Sequence, residues 1–576
     1  MSSTLKLPKS AAKRFAPAKR FAPAKRFPPA KRFPRTETLD VLGAMAFAEF
    51  PAQRVPGQVL WCNLELAREL GFNVPRINQL TPALHDELIA KLSLRAITPE
   101  DNVPAAEIVT MYADRYGGEG VSPALGSGRA GFLPDANLYI KGLGFTPLFR
   151  HNDKDDFVHS HGGVHLEDCM SEAIFAEVDH NLFELGASRI VAIIDQGRFV
   201  TEPSGRRRHI ALAVRTGAQL RPGHLLAKRV RGSRSPWEMF VSITRATNQL
   251  VTQHGSDVPD LSATMLRVID DHARTAADSF RWRVLHGALS PSNMDMSGAM
   301  LDLPTQSTQP RTAPIFKLDY VQSAFGTEHK ERGFHLAEMY RRILRTTDAS
   351  TRERFNLKWI NVSNQMDLDY ARHLEVKLLA ATGIGVRVAQ QVQRRSPDLA
   401  KRFSEVVFVM ASLRNPGKAC VARTVHTDLS VVDVFSVLAS LPAEFFGKAD
   451  VKDAILKHAR PIYKGNRFHV AAKKRRVEQL AVELGEIYRD LMGLARNYYA
   501  SNAEMERSIC GRAAFENRPI EALYCYPLYE TLNRAIDEYK TTGNAKIISS
   551  TIDTIVEQSL RNLDRLWVHR RSLRII

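Results

Sequence analysis

At 576 residues and 64.6 kDa the chain is too long for one small core, and its 44% apolar and 25% charged content is that of a globular protein. The net charge of +18 gathers at one end: residues 1–35 hold eleven Lys and Arg and no acid, leaving 69 basic against 62 acidic side chains elsewhere. No apolar run approaches the roughly 18–20 residues of a membrane span. The scattered Cys62, Cys169, Cys420, Cys510 and Cys525 have neither disulfide-framework nor zinc-like spacing, so reduced thiols in a cytoplasmic compartment are expected.

From Ala12 to Arg35 a hexad repeats, AKRFAP twice and then AKRFPP and AKRFPR. Recurrent proline prevents a helix and nothing nearby supplies a core, which predicts an extended, disordered arm. Such an arm suits nucleic acid, an acidic partner or anionic lipid; an Arg-rich, acid-poor mitochondrial leader is the other reading.

Short helices are expected at 64–71 (LELARELG) and 82–92 (PALHDELIAKL), followed by the glycine-dense YGGEGVSPALGSGRAGF at 116–132. The strand NLYIK (137–141) sets Leu138 and Ile140 on one face and Tyr139 and Lys141 on the other. A helix over Val164–Leu185 carries the stripe Met170, Ile174, Val178, Leu182 and Leu185. SRIVAII (188–194) and HIALAVR (209–215) predict a hairpin with a long turn, GRFVTEPSGRRR. Beyond Pro222 the pattern turns helical. Leu261, Met265, Ile269, Ala273 and Ala276 share one face, as do Val477, Leu480, Leu484, Ile487, Leu491, Leu494 and Tyr498. The division expected is a tail (1–35), a strand-bearing front part (36–222), a middle part (223–350) and a helical rear (351–576). The class is α+β, an order of parts shared by bilobal protein-kinase-like folds.

A lysine opposite two aliphatic residues on a strand projects away from the core, and Lys141 does so. Glu167 falls on the buried stripe of the next helix, where a carboxylate needs a cation. A strand lysine paired to a helix glutamate is how kinases fix the lysine that grips nucleotide phosphates. Gly126 and Gly128 in GSGR would let backbone N–H groups approach phosphate, with Arg129 beside them; TGIG (382–385) reads as a turn. Arg229 and Arg234 form a second basic cluster. In HGALSPSNMDMSGAMLDL (286–303) Asn293 and Asp302 offer two hard oxygen donors to magnesium or manganese, which take few ligands from protein and the rest from phosphates and water. There is no Walker A sequence and no HExxH.

Four stretches resemble the selenoprotein O family of protein adenylyltransferases. YADRYGGEGVSPALGSGRA (112–130) is similar to YAGHQFGxxxPQLGDGRA, KGLGFTPLFR (141–150) to KGxGxTPxSR, LEDCMSEA (166–173) to RExLxSEA, and HGALSPSNMDMSGAMLDLP (286–304) to HGxxNTDNMxxxGxxxDxGP. The resemblance covers about 110–345. It implies a kinase-like fold binding ATP so that AMP, and not the γ-phosphate, passes to a hydroxyl of an acceptor protein. It implies Lys141 as the phosphate-gripping lysine, Glu167 as its partner, Arg129 as the glycine-loop arginine, Asn293 and Asp302 as metal ligands, and Arg229 with Arg234 as phosphate-binding arginines, the second after a two-residue deletion. The chain departs from the pattern at the base aspartate, which is Ser292, and at the aspartate of GDGR, which is Ser127. Asp295 is then a substitute base. A catalytically weakened, ATP-binding pseudokinase scaffold, or a nucleotidyl or phosphoryl transferase acting on a peptide or metabolite, are the other expectations.

Overall fold

The computed structural model describes residues 37–117, 125–149, 161–217, 219–254, 256–309, 316–318, 321–323, 326–413, 420–421, 430–459 and 467–561. The basic repeat arm and its expected partners lie outside the described residues, as does Arg150.

The front half is built on a sheet whose strands all pair antiparallel: β1 (Phe47–Arg54), β2 (Gln58–Cys62), β3 (Leu94–Ala96), β4 (Ile108–Asp114), β5 (Ala130–Leu133), β6 (Leu138–Lys141), β7 (Val164–His165), β8 (Ile190–Thr201) and β9 (Arg207–Thr216). Their order is β2-β8-β9-β6-β5-β4-β1-β3, with β7 also on β9. Helices α1 (Glu37–Leu42), α2 (Leu64–Glu69), α3 (Pro82–Leu92) and α4 (Leu166–Leu182) accompany it. Helix α3 starts where Thr81 accepts from the Leu84 N–H ahead of Pro82, and buries Leu84, Leu88 and Leu92 at helical spacing. These pack on the face of the sheet that carries Leu138, Ile140, Leu212 and Val214. The opposite face meets α4.

Two expectations shift. The hairpin turn is short, closed by Glu202 N–H to the Arg206 carbonyl at 2.9 Å, because RFVT continues to alternate in burial and stays paired as strand. Helix α4 is shorter than expected at both ends: Val164 and His165 pair with β9, and the Phe183 N–H closes the helix on Asp179.

Helices dominate the rest: α5 (Pro222–Leu226), α6 (Pro236–Ala246), α7 (Leu261–Trp282), α8 (Glu328–Arg345), α9 (Ala349–Arg354), α10 (Val362–Leu379), α11 (Val386–Arg395) and α12 (Pro397–Ser412). They continue as α13 (Val434–Phe446), α14 (Val451–Leu456), α15 (Arg467–Ala495), α16 (Asn502–Glu516), α17 (Cys525–Thr542) and α18 (Lys546–Leu560). The fold is thus α+β, an antiparallel sheet followed by a largely helical region. The stripes of α7 and α15 face one large core, which also takes in Leu42 and Phe47. TGIG forms a tight joint between α10 and α11, where Gly383 has φ +92° and a Cβ would lie 2.1 Å from the Ile509 carbonyl oxygen. The last two helices return to the front: Leu528, Leu532, Ile536, Ile548 and Ile552 share a core with α4, and Trp61 Nε1 donates to Asp553 at 2.9 Å. Among the described residues no helix is long and apolar enough to cross a membrane. Cys62, Cys169 and Cys510 are free thiols.

Candidate active site

Strand register decides which side chains meet. Lys141 lies opposite Ala213 and Tyr139 opposite Arg215, so Lys141 and Arg215 share the sheet face turned to α4. From α4 comes Glu172, 3.6 Å from Lys141 Nζ and paired also with Arg215. From the loop after α7 comes Asp302, whose Oδ1 takes Lys141 Nζ at 2.7 Å and Arg215 Nη2 at 2.6 Å. Two cations and two carboxylates therefore form one cluster, in which Lys141, Arg215 and Glu172 are buried and Asp302 is half-buried. Burial opposes ionisation of Asp302, but Lys141, Arg215 and Arg221 overcome it and hold the carboxyl well below the usual range. Burial likewise works against the Arg215 charge, and Glu172 and Asp302 raise its pKa in spite of that.

The loop is a closed structure. A two-stranded ladder, β10 (Val284–Leu285) with β11 (Ser307–Thr308), pins its base. A bridge between Met294 and Met300 folds the tip into a hairpin with Asn293 and Asp302 on opposite arms. Gly298, at φ +80°, makes the turn against the Asp271 backbone. His286 is buried; its Nδ1 accepts the Ala288 N–H, which leaves Nε2 to donate to the Leu301 carbonyl at 2.7 Å, next to Asp302. Asp302 itself has φ +62°, a strained backbone for a residue other than glycine.

Several expected site residues stand elsewhere. Glu167 is not the partner of Lys141: it is buried in the first turn of α4 against Arg208, and Glu172 takes the lysine. Arg229 is exposed and donates to the Ser233 carbonyl at 3.2 Å, while Arg234 binds the Val41 carbonyl and Ser242 Oγ. Neither has a contact with the cluster among the described residues; Arg215 is the arginine found there, and Arg221 acts on Asp302 through its charge. Asp295 is committed to the hairpin turn, accepting from Ser297 N–H at 2.9 Å and Ser297 Oγ at 2.5 Å; burial raises its pKa.

Gly126 and Gly128 flank Ser127 beside the end of β4, and a Cβ on Gly126 would strike the Asp114 carbonyl at 2.1 Å. Arg129 donates to the Gly163 carbonyl at 2.9 Å and accepts from the Gly142 N–H, one residue past Lys141. Ser292, at the position of the expected base, is buried; its Oγ donates to the Tyr116 carbonyl at 3.2 Å and its carbonyl accepts from Arg221.

Asn293 and Asp302 fit the demands of magnesium or manganese. The Asn293 amide nitrogen is spent on the Ala288 carbonyl at 3.0 Å, leaving its oxygen, and both ion pairs of Asp302 fall on Oδ1, leaving Oδ2. Two hard oxygens suit a hexacoordinate ion that takes most of its ligands from phosphates and water. Groups of three or more His, Cys, Asp and Glu poised for a metal do not occur among the described residues.

Sequence reasoning missed Glu172, Arg215 and Arg221. For Arg215 a signal existed: in IALAVR it follows Ala211 and Ala213 on one face, a cation in line with small residues.

No protein-family model matches this chain, and no curated protein matches it either.

Proposed function

We propose that the chain is a kinase-like, bilobal nucleotidyltransferase that moves AMP from ATP to hydroxyl groups of an acceptor protein. The observation that carries this reading is the meeting of Lys141, Glu172 and Asp302 from a sheet, a helix and a loop. A lysine oriented by a helix carboxylate and faced by a loop aspartate is the apparatus with which kinases hold nucleotide phosphates. The choice of AMP over phosphate rests on the motif resemblance to the selenoprotein O family.

In the reaction the acceptor hydroxyl oxygen bonds to the α-phosphorus, the bond from that phosphorus to the oxygen bridging the β-phosphate breaks, pyrophosphate leaves and the hydroxyl proton passes to solvent. Lys141 neutralises phosphate charge, Glu172, itself held by Arg215, keeps it in line, and the glycine loop with Arg129 borders the phosphates. A magnesium or manganese ion held by Asn293 and Asp302 would, when bound, neutralise further charge on phosphate oxygens. Ser292 supplies no base. Losing one typically costs about 10²–10⁴ in rate, yet a loose phosphoryl-type transition state draws mainly on positioning and electrostatics.

A second reading, an ATP-binding pseudokinase, draws on that same position: the Ser292 hydroxyl and carbonyl are both taken by the chain's own groups. Incubating the protein with candidate acceptors, Mg²⁺ or Mn²⁺, and ATP labelled at α or γ separates the readings. Covalent α-label, abolished in Lys141→Ala, is expected. Covalent γ-label would make the chain a kinase, and tight ATP binding without covalent label would make it a scaffold.

A further inference from the structure

Asp114, at the end of β4, is wholly buried, and a carboxylate there must be compensated. Its Oδ1 accepts from Ser127 Oγ and its Oδ2 lies 3.0 Å from His224 Nε2. His224 Nδ1 accepts the Arg221 backbone N–H at 2.9 Å, so the proton of the neutral ring sits on Nε2 and is donated to Asp114. The Arg221 guanidinium donates to the Ser292 carbonyl and to Gln219 Oε1 at 2.5 Å, and stacks 4.3 Å from the centre of the Tyr116 ring. Ser292 Oγ returns to the Tyr116 carbonyl and closes the circuit. The segments touch at backbone distance: a Cβ on Gly223 would lie 2.7 Å from the Tyr116 carbonyl oxygen and 3.1 Å from that of Pro291, while the Gly223 N–H donates to the latter at 2.9 Å.

We propose that Asp114 is a positioning residue, the hub of a buried clasp running Ser127–Asp114–His224–Arg221–Ser292 that sets the glycine loop against the loop bearing Asn293 and Asp302. The inference rests on the nucleotide reading of that site. It also accounts for a paired departure from the resembling motifs: where those have glycine at 114 and an acid at 127, this chain has Asp114 and Ser127. The carboxylate stands on the β4 side of the Ser127–Asp114 hydrogen bond instead of on the glycine-loop side. An acid at 127 in this chain would confront Asp114 across a hydrogen-bond distance, without water between them.

The test is calorimetric titration of the full-length chain with Mn²⁺·ATP, alongside thermal unfolding without nucleotide, for wild type, Asp114→Ser, Ser127→Asp and the double variant that moves the carboxylate across the bond. Each single change is expected to weaken ATP about 10- to 100-fold, the scale of one charged hydrogen bond. The double variant is expected to recover to within a few-fold of wild type, a strongly non-additive cycle. Additive losses, or single variants with wild-type affinity, overturn the clasp. Should Asp114→Ser fail to fold, Ser127→Ala removes only the hydroxyl donor, and unchanged ATP affinity there overturns it equally. Wild type that does not bind ATP overturns the nucleotide reading itself and the clasp with it.

Discussion

Glu167 and Glu172 lie on the same helix, both buried, and serve different cations. Glu167 answers Arg208 near the hairpin turn at the start of β9; Glu172 answers Lys141 and Arg215 further along the sheet. Glu172→Gln is therefore expected to lower transfer about 10- to 100-fold, the rate equivalent of one or two charged hydrogen bonds. Glu167→Gln should leave nucleotide affinity unchanged while lowering stability by about 1–3 kcal/mol, since Arg208 loses its buried partner. Equal effects of the two on ATP titration would contradict the assignment. Lys141 and Asp302 were legible in the sequence because strand alternation and loop spacing are local patterns. The glutamate was not. Helix α4 is covered on nearly every side, so an apolar stripe cannot select one of its acids. The alternation in IALAVR gives Arg215 its face, but the β6–β9 register that brings it to Lys141 is not a local pattern.

Elements with one buried face read well from their periodicity, and α7 and α15 carry the expected stripes. What escaped notice is the return of α17 and α18 to the front of the molecule, a contact between positions nearly five hundred residues apart. Trp61 marks that junction. Burial raises the Asp553 carboxyl while the indole N–H holds it down. Trp61→Phe keeps the ring and removes the donor, so it should destabilise the protein by about 1–3 kcal/mol, read as a fall in denaturant midpoint at unchanged slope. An unchanged midpoint would mean that the packing of α18 alone holds the junction.

For the whole molecule the buried carboxyls set opposing pH limbs. Asp302 and Asp114 sit below their ordinary range: both are disfavoured by burial, then held down by Lys141 and Arg215 in one case and His224 in the other. Their contribution to stability is complete above the unfolded carboxylate value of about 4 and is lost as pH falls through the folded values. Asp179 runs the other way. Burial lifts it to about 8 against the hydrogen bond from Gln306, so its contribution is complete below about 4 and is lost as pH rises toward 8. Asp179→Asn keeps an acceptor for Gln306 and carries no charge at any pH. It should raise the unfolding temperature more at pH 8 than at pH 5, and an equal shift at both would show that Asp179 is ionised in the fold. Sheet and helical region meet at Lys141, Glu172, Arg215 and Asp302, and the account of function stands on that meeting. A crystal structure with a non-hydrolysable ATP analogue and Mn²⁺, with anomalous scattering recorded at the manganese edge, tests it directly. The account predicts a manganese peak within bonding distance of Asn293 and Asp302, with Lys141 on a phosphate oxygen; nucleotide bound elsewhere, or phosphates beyond the reach of Lys141, would contradict it.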